Sequence, residues 1–200
     1  RPLVVVTAPG PGSGKMAVCL SQLYNEHQRG NQAGYAKFET FPVWNLPLKH
    51  PVNKAYEAAT ADLNDVNMID PYHLEAYGKT AVSYNRDTEI FPVLDALFTG
   101  IYGHTPYKSP TDMGVNTVGF CIDDDAACCE ASKQEIIRRY YHALNDFANG
   151  DINESVVNRI ARLFKQVGIS TADRRTTVAA NERKERNNAM AVAAIELHDG

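Results

Sequence analysis

The 200-residue sequence predicts an α/β fold, and three observations carry that prediction. The apolar run Leu3-Val4-Val5-Val6-Thr7-Ala8 reads as a buried strand, and the glycine-rich turn Pro9-Gly10-Pro11-Gly12-Ser13-Gly14-Lys15 follows it at once. A helical pattern over 15–29 then leads to a second strand-like segment at 34–39. Strand, turn, helix and strand with short links give a right-handed βαβ unit with parallel strands. Residues 124–188 carry long stretches of helical periodicity. The expected architecture is a P-loop-like or Rossmann-like βαβ core over 1–123 with a long irregular loop region and an inserted α-helical subdomain over 124–188. A strand over 189–200 is expected to return to a sheet completed by residues outside the chain.

Each element has its own signal. Helix 15–29 places Val18, Leu20, Leu23, Tyr24 and His27 on one face and meets Gly30. Residues 41–51 hold three prolines and predict irregular backbone; a short helix fits 52–61. Asp70-Pro71 suits the cap and first position of a helix through Tyr77, closed by Gly78. Ile90, Phe91, Leu94, Leu97, Phe98 and Ile101 mark a helix over 85–102 that contains Pro92. Residues 117–122 read as a strand ending in Asp123-Asp124-Asp125. A long helix to Gly150 turns Ile136, Ile137, Tyr140, Tyr141, Leu144 and Phe147 inward; another spans 153–167, and a charged one starts at Ser170 or Thr171. The segment 191–197 before Asp199-Gly200 has the signal of a hairpin strand.

Composition narrows the function classes. The chain is 44% hydrophobic and 22% charged, an ordinary globular balance. A net charge of −4 disfavours nucleic acid as a partner. Arg174, Arg175, Arg183, Lys184 and Arg186 alternate with Asp173, Glu182 and Glu185, the pattern of a solvated helix face. No apolar run approaches the ~20 residues of a membrane span. Cys19, Cys121, Cys128 and Cys129 form no C-x-x-C pair and read as free thiols of a reducing cytoplasm. The six histidines are scattered, with neither an H-E-x-x-H zinc motif nor a G-x-S-x-G nucleophile elbow.

The glycine turn carries the most chemistry. Gly10, Gly12, Ser13 and Gly14 would present backbone N–H groups to an anion, the helix N-terminus adds positive potential, and Lys15 adds a full charge. Against the pattern G-x-x-x-x-G-K-[ST], Gly14 and Lys15 fit, Pro9 stands at the first glycine, and Met16 replaces the hydroxyl that would hold Mg²⁺. A dinucleotide fingerprint fits no better, because its third glycine falls on Lys15; Glu39 nonetheless lies near where such folds place the ribose acid. Asp123 or Asp124, at the end of an apolar run, would hold Mg²⁺ in a Walker-B-like arrangement; the competing reading is a helix cap. Asp62, Asp65 and Asp70, with Lys37 and Glu39, are the candidate substrate-facing groups, although short polar side chains more often cap turns.

The words VVVTAPGPGSGKM, CLSQLY, GYAKFETFPVWNLPLKHPVN, AYEAATADLNDVNMIDPYHLEAYGKT, SPTDMGVN and ASKQEIIRRYY closely resemble a bacterial domain-of-unknown-function family, number eighteen-forty-six. The resemblance covers essentially the whole chain and implies an internal segment of a longer cytoplasmic protein. It implies an α/β architecture with a helical subdomain and assigns no catalytic residue. The residues themselves favour a phosphate- or nucleotide-binding enzyme domain of the phosphoryl-transfer or ATP-driven ligation class, with Lys15, Lys37, Asp62, Asp65 and Asp70 as reactive groups and a nucleotide with Mg²⁺ as cofactor. The expected partner is a phosphate-bearing small molecule, with homo-oligomers open. The alternatives are a structural or oligomerising protein whose glycine loop binds nothing, and a dinucleotide-dependent enzyme relying on Glu39.

Overall fold

Helix α1 (Lys15–Gln28) begins directly after the glycine turn and lies against α4 (Asn85–Tyr102). The computed structural model describes residues 2–10, 12–116 and 118–197. In α4 the spacing of Asp87, Phe91, Leu94, Phe98 and Ile101 generates one buried stripe. Leu23 of α1 and Met113 join it, with Met16, Leu20, Tyr35, Tyr72 and Tyr107 packed around the edge. Pro92 is accommodated without ending the helix.

A second apolar cluster unites α2 (Pro51–Ala59), α6 (Asp125–Asn149) and α7 (Glu154–Val167). Ile136, Val157, Ile160 and Leu163 supply the bulk; Ala58, Ala61 and Ala143 are small enough for the helix backbones to approach closely. Helix α8 (Arg175–Asn187) buries none of its residues, as its alternating charges predict. A capping box at Ser170 and Asp173 starts the short 3₁₀ turn before it.

Helix α3 (Pro71–Tyr77) is capped by Asp70, whose carboxylate accepts the His73 N–H at 3.0 Å. Helix α5 (Pro110–Met113) is capped by Ser109. Among the described residues, four short strands complete the fold. β1 (Lys37–Phe38) runs parallel to β4 (Gly114–Val115), and β2 (Asn67–Ile69) runs antiparallel to β3 (Val82–Tyr84). The loop after β1 is latched by a wholly buried asparagine: Asn53 Oδ1 accepts the Val43 N–H at 2.7 Å, and Asn53 Nδ2 donates to the Val43 carbonyl at 3.0 Å. The amide thus pairs with the loop backbone as a strand would.

The molecule is mostly helical with two two-stranded sheets, and several expected strands are absent from the described residues. Residues 3–8 join no ladder; Leu3, Val4 and Val5 are exposed, because no neighbouring strand takes up their backbone groups. β1 is shorter than 34–39, and its parallel partner is β4. Val118–Cys121 forms a 3₁₀ turn where a strand was expected. Its reason is steric. A Cβ on Gly119 would lie 1.9 Å from Asn45 Oδ1 and 2.7 Å from Val43 Cγ1, so this turn is pressed onto the latched loop. Residues 191–197 are not in a strand. Thr117, His198 and the Asp199-Gly200 turn lie outside the described residues.

Candidate functional site

The glycine turn forms an open mouth at the start of α1. Gly12 and Gly14 have φ of 74° and 83°, the left-handed region that glycine enters at no steric cost. Among the described residues no side chain caps α1 and no acidic residue occupies its first turn, so the positive end of the helix stays uncompensated. A Cβ at Gly10, Gly12 or Gly14 would meet nothing within 4 Å. The Lys15 ammonium folds back, donating to the Gly10 carbonyl at 2.8 Å and lying 3.4 Å from Ser13 Oγ. The Ser13 hydroxyl donates to the same carbonyl. Met16, at the place of the metal-binding hydroxyl, packs instead against the α4 cluster.

A second feature is a partly buried ion cluster. Lys37 of β1 lies 2.5 Å from Asp87 Oδ2 and 2.5 Å from the Tyr84 hydroxyl, and it also pairs with Glu39. The Tyr84 hydroxyl donates to Glu39 Oε1 at 3.2 Å. One ammonium therefore faces two carboxylates. Burial alone would lower the Lys37 pKa, but Glu39 and Asp87 outweigh it and hold the ammonium above the usual lysine range. Burial pushes the Glu39 carboxyl up; Lys37 offsets part of that, and Asp87 adds to it. Burial, with Glu39 and Asp87, raises Tyr84 as well, while Tyr56 beside it is pushed up to about 12, first by burial and then by Asp65. Glu39 also lines a small cleft with Trp44, Ser83, Thr111 and Asn116, where Asn116 Oδ1 is a buried acceptor without a partner among the described residues.

The three aspartates do not converge. Asp62 is exposed in the 3₁₀ turn Ala61–Leu63. Asp65 is buried against Arg86, whose Nη2 donates to Oδ2 at 2.8 Å. Asp70 caps α3 and accepts the Thr111 N–H at 3.1 Å and its hydroxyl at 2.6 Å. Asp124 Oδ1 accepts the Ala127 N–H at 2.9 Å and caps α6, with Asp123 exposed beside it and no apolar strand behind either. Ser109, His73 and Asp112 also lie together, but Ser109 is wholly buried and caps α5, so its hydroxyl is closed to a substrate. Three further donors cluster elsewhere: His50 Nε2 is 2.9 Å from Asp125 Oδ1, and Cys129 Sγ lies near both. Burial, then the Asp125 charge, pushes the Cys129 thiol up, which disfavours the thiolate a nucleophile needs.

Sequence reasoning missed Asp87, Tyr84 and Arg86. A signal was present for Asp87. It stands four residues before Phe91 on the apolar stripe of α4, where a carboxylate must find a buried partner.

The family model described as "Domain of unknown function DUF1846, N-terminal" matches residues 1–168. The chain belongs to this family. It is 64% identical over all 200 residues to a UPF0371 protein of Corynebacterium urealyticum, 62% to one of Streptococcus uberis, and 60% to one of Streptococcus pyogenes serotype M5. In each case the chain spans 40% of the relative's length. No helix among the described residues is long and apolar enough to cross a membrane.

Proposed function

We propose that this chain provides the anion-binding unit of an enzyme acting on a phosphate-bearing small molecule, with a nucleotide as the leading ligand class. The observation that carries the reading is the uncapped start of α1. Two left-handed glycines, a first turn free of acids and Lys15 meet there in open space. In this reading the amides around Gly12, Ser13 and Gly14 hold the anion. Lys15 leaves the Gly10 carbonyl to neutralise it. Glu39, with its raised pKa and its place in a polar cleft, is the group suited to exchange a proton. Phosphoryl transfer needs mainly positioning and charge neutralisation, which these groups can supply. Asp124 is engaged in capping α6, which leaves Asp123 as the carboxylate for an accompanying Mg²⁺.

The non-catalytic reading is favoured by one observation: Lys15 and Ser13 both close onto the Gly10 carbonyl, so the loop can satisfy itself. The dinucleotide reading is weakened because Lys37 and Tyr84 already occupy Glu39. Calorimetric titration of the full-length protein with ATP, ADP and pyrophosphate separates these. Lys15→Ala is expected to weaken binding about tenfold or more, the equivalent of at least about 1.4 kcal/mol. No heat of binding, or binding untouched by the substitution, rejects the proposal.

A further inference from the structure

A site unrelated to the glycine turn is formed by His50, Asp125 and Cys129. His50 precedes α2 and is almost fully buried, with a side-chain exposure of 10%. Asp125 and Cys129 stand four residues apart at the start of α6, which places both on one helix face. The packing of α2 on α6 thereby brings an imidazole to a carboxylate and a thiol that lie 75 and 79 residues further along the chain. All three donor atoms lie within 4.8 Å of one another.

The separations match a metal better than a catalytic triad. Around a tetrahedral zinc with Zn–N and Zn–O of about 2.0 Å and Zn–S of about 2.3 Å, ligand atoms stand about 3.3–3.6 Å apart. Here Sγ to Nε2 is 3.6 Å, Nε2 to Oδ1 is 2.9 Å and Sγ to the other carboxylate oxygen, Oδ2, is 3.7 Å; with one oxygen taken as the ligand, the three donor atoms stay within 4.8 Å of one another. Only the His50–Asp125 pair is closer than a metal would hold it. Asp125, with 63% of its side chain exposed, is free to withdraw by those few tenths of an ångström.

We propose that His50, Asp125 and Cys129 bind a borderline-soft divalent transition metal, zinc by chemical preference. The N, O and S donors select against Mg²⁺ and Ca²⁺, which take oxygen shells. Three protein ligands leave a fourth position for water or a ligand. On loading, the Cys129 thiol proton leaves to solvent as the Zn–S bond forms. The His50 ring now accepts a Val52 N–H at Nδ1, at 3.3 Å, and carries its proton on Nε2. Metal takes the Nε2 position, the ring proton moves to Nδ1, and this long cap opens. Net release is one proton. The metal would clamp the start of α2 to the start of α6.

Full-length protein stripped of metal and titrated with Co²⁺ provides the test. The expected result is a near-ultraviolet thiolate-to-cobalt charge-transfer band, abolished by one equivalent of Zn²⁺. Cys129→Ser removes the band with the fold intact, and Cys128→Ser keeps it. His50→Ala lowers zinc affinity by more than the roughly 10–100-fold that an outer partner costs. Because His50 also caps α2, Asp125→Asn, at an exposed position, provides a parallel measurement and is likewise expected to weaken binding. A wild-type protein that gives no band, or a band that survives in Cys129→Ser, overturns the assignment.

Discussion

Lys37 shows how a single side chain organises its surroundings. Its ammonium is the shared partner of Glu39, Asp87 and Tyr84 in a partly buried site. Lys37→Met leaves two neighbouring carboxylates without a cation; losing one partner of a fully buried pair costs about 3–5 kcal/mol, and partial burial puts this loss toward the lower end. Denaturant unfolding at pH 7 checks this. The loss is expected to shrink toward acid pH, where a carboxyl can take up a proton. Glu39 has a folded-state pKa raised above 4.5, so its contribution is full below that value and is lost as pH rises through the folded-state value. The sequence singles out Lys37 and Glu39 as candidates because they stand at the end of the expected second strand. Their partners Tyr84 and Asp87 are not legible in it, because pairing across 45 and more residues leaves no local trace. Asp62, Asp65 and Asp70 looked like a set, yet Asp65 pairs with Arg86, Asp70 caps α3 and accepts from Thr111, and Asp62 stands exposed away from both.

Among the elements, helices were read far better than strands. The helix over 85–102, the Asp70-Pro71 start of α3 and the glycine that ends each of α6 and α7 all rest on local signals, namely periodicity, capping side chains and glycine at the end. A strand requires a partner elsewhere in the chain, and the apolar runs at 3–8 and 117–122 say nothing of one. Gly119 makes the point testable. Gly119→Ala drives a Cβ into the buried Val43 loop and is expected to cost about 1–3 kcal/mol. Gly100→Ala, exposed inside α4 with open space around it, is expected to gain about 0.5–1 kcal/mol. Thermal midpoints of the two variants should therefore move in opposite directions. On α6, hydrogen bonding to Arg138 first, and Arg139 with it, holds the Glu135 carboxyl down at about 2. A lowered folded-state value gives stability that is full above pH 4.5 and lost as pH falls toward 2. Glu135→Gln should flatten the thermal midpoint against pH across that window; because the Glu135 side chain is about one-third exposed, at 34%, the effect should also fade in high salt.

For the whole molecule, two apolar clusters are joined through polar side chains. Tyr56 of α2 contacts Tyr84, which bonds the Lys37–Glu39 pair, and Asn67 donates to the backbone of α2. The chain accounts for 40% of the length of the relatives it matches, and Leu3, Val4, Val5 and Phe38 keep their apolar side chains exposed. The glycine turn has the lysine, the left-handed glycines and the bare helix start, but no ladder on the segment that precedes it. The central claim, that this turn receives a phosphate, is tested most directly by amide chemical shifts of the full-length protein on addition of pyrophosphate. The claim predicts saturable shifts that are largest at the amides of Gly12, Ser13, Gly14, Lys15 and Met16. Shifts confined to other segments, or none at millimolar pyrophosphate, would contradict it.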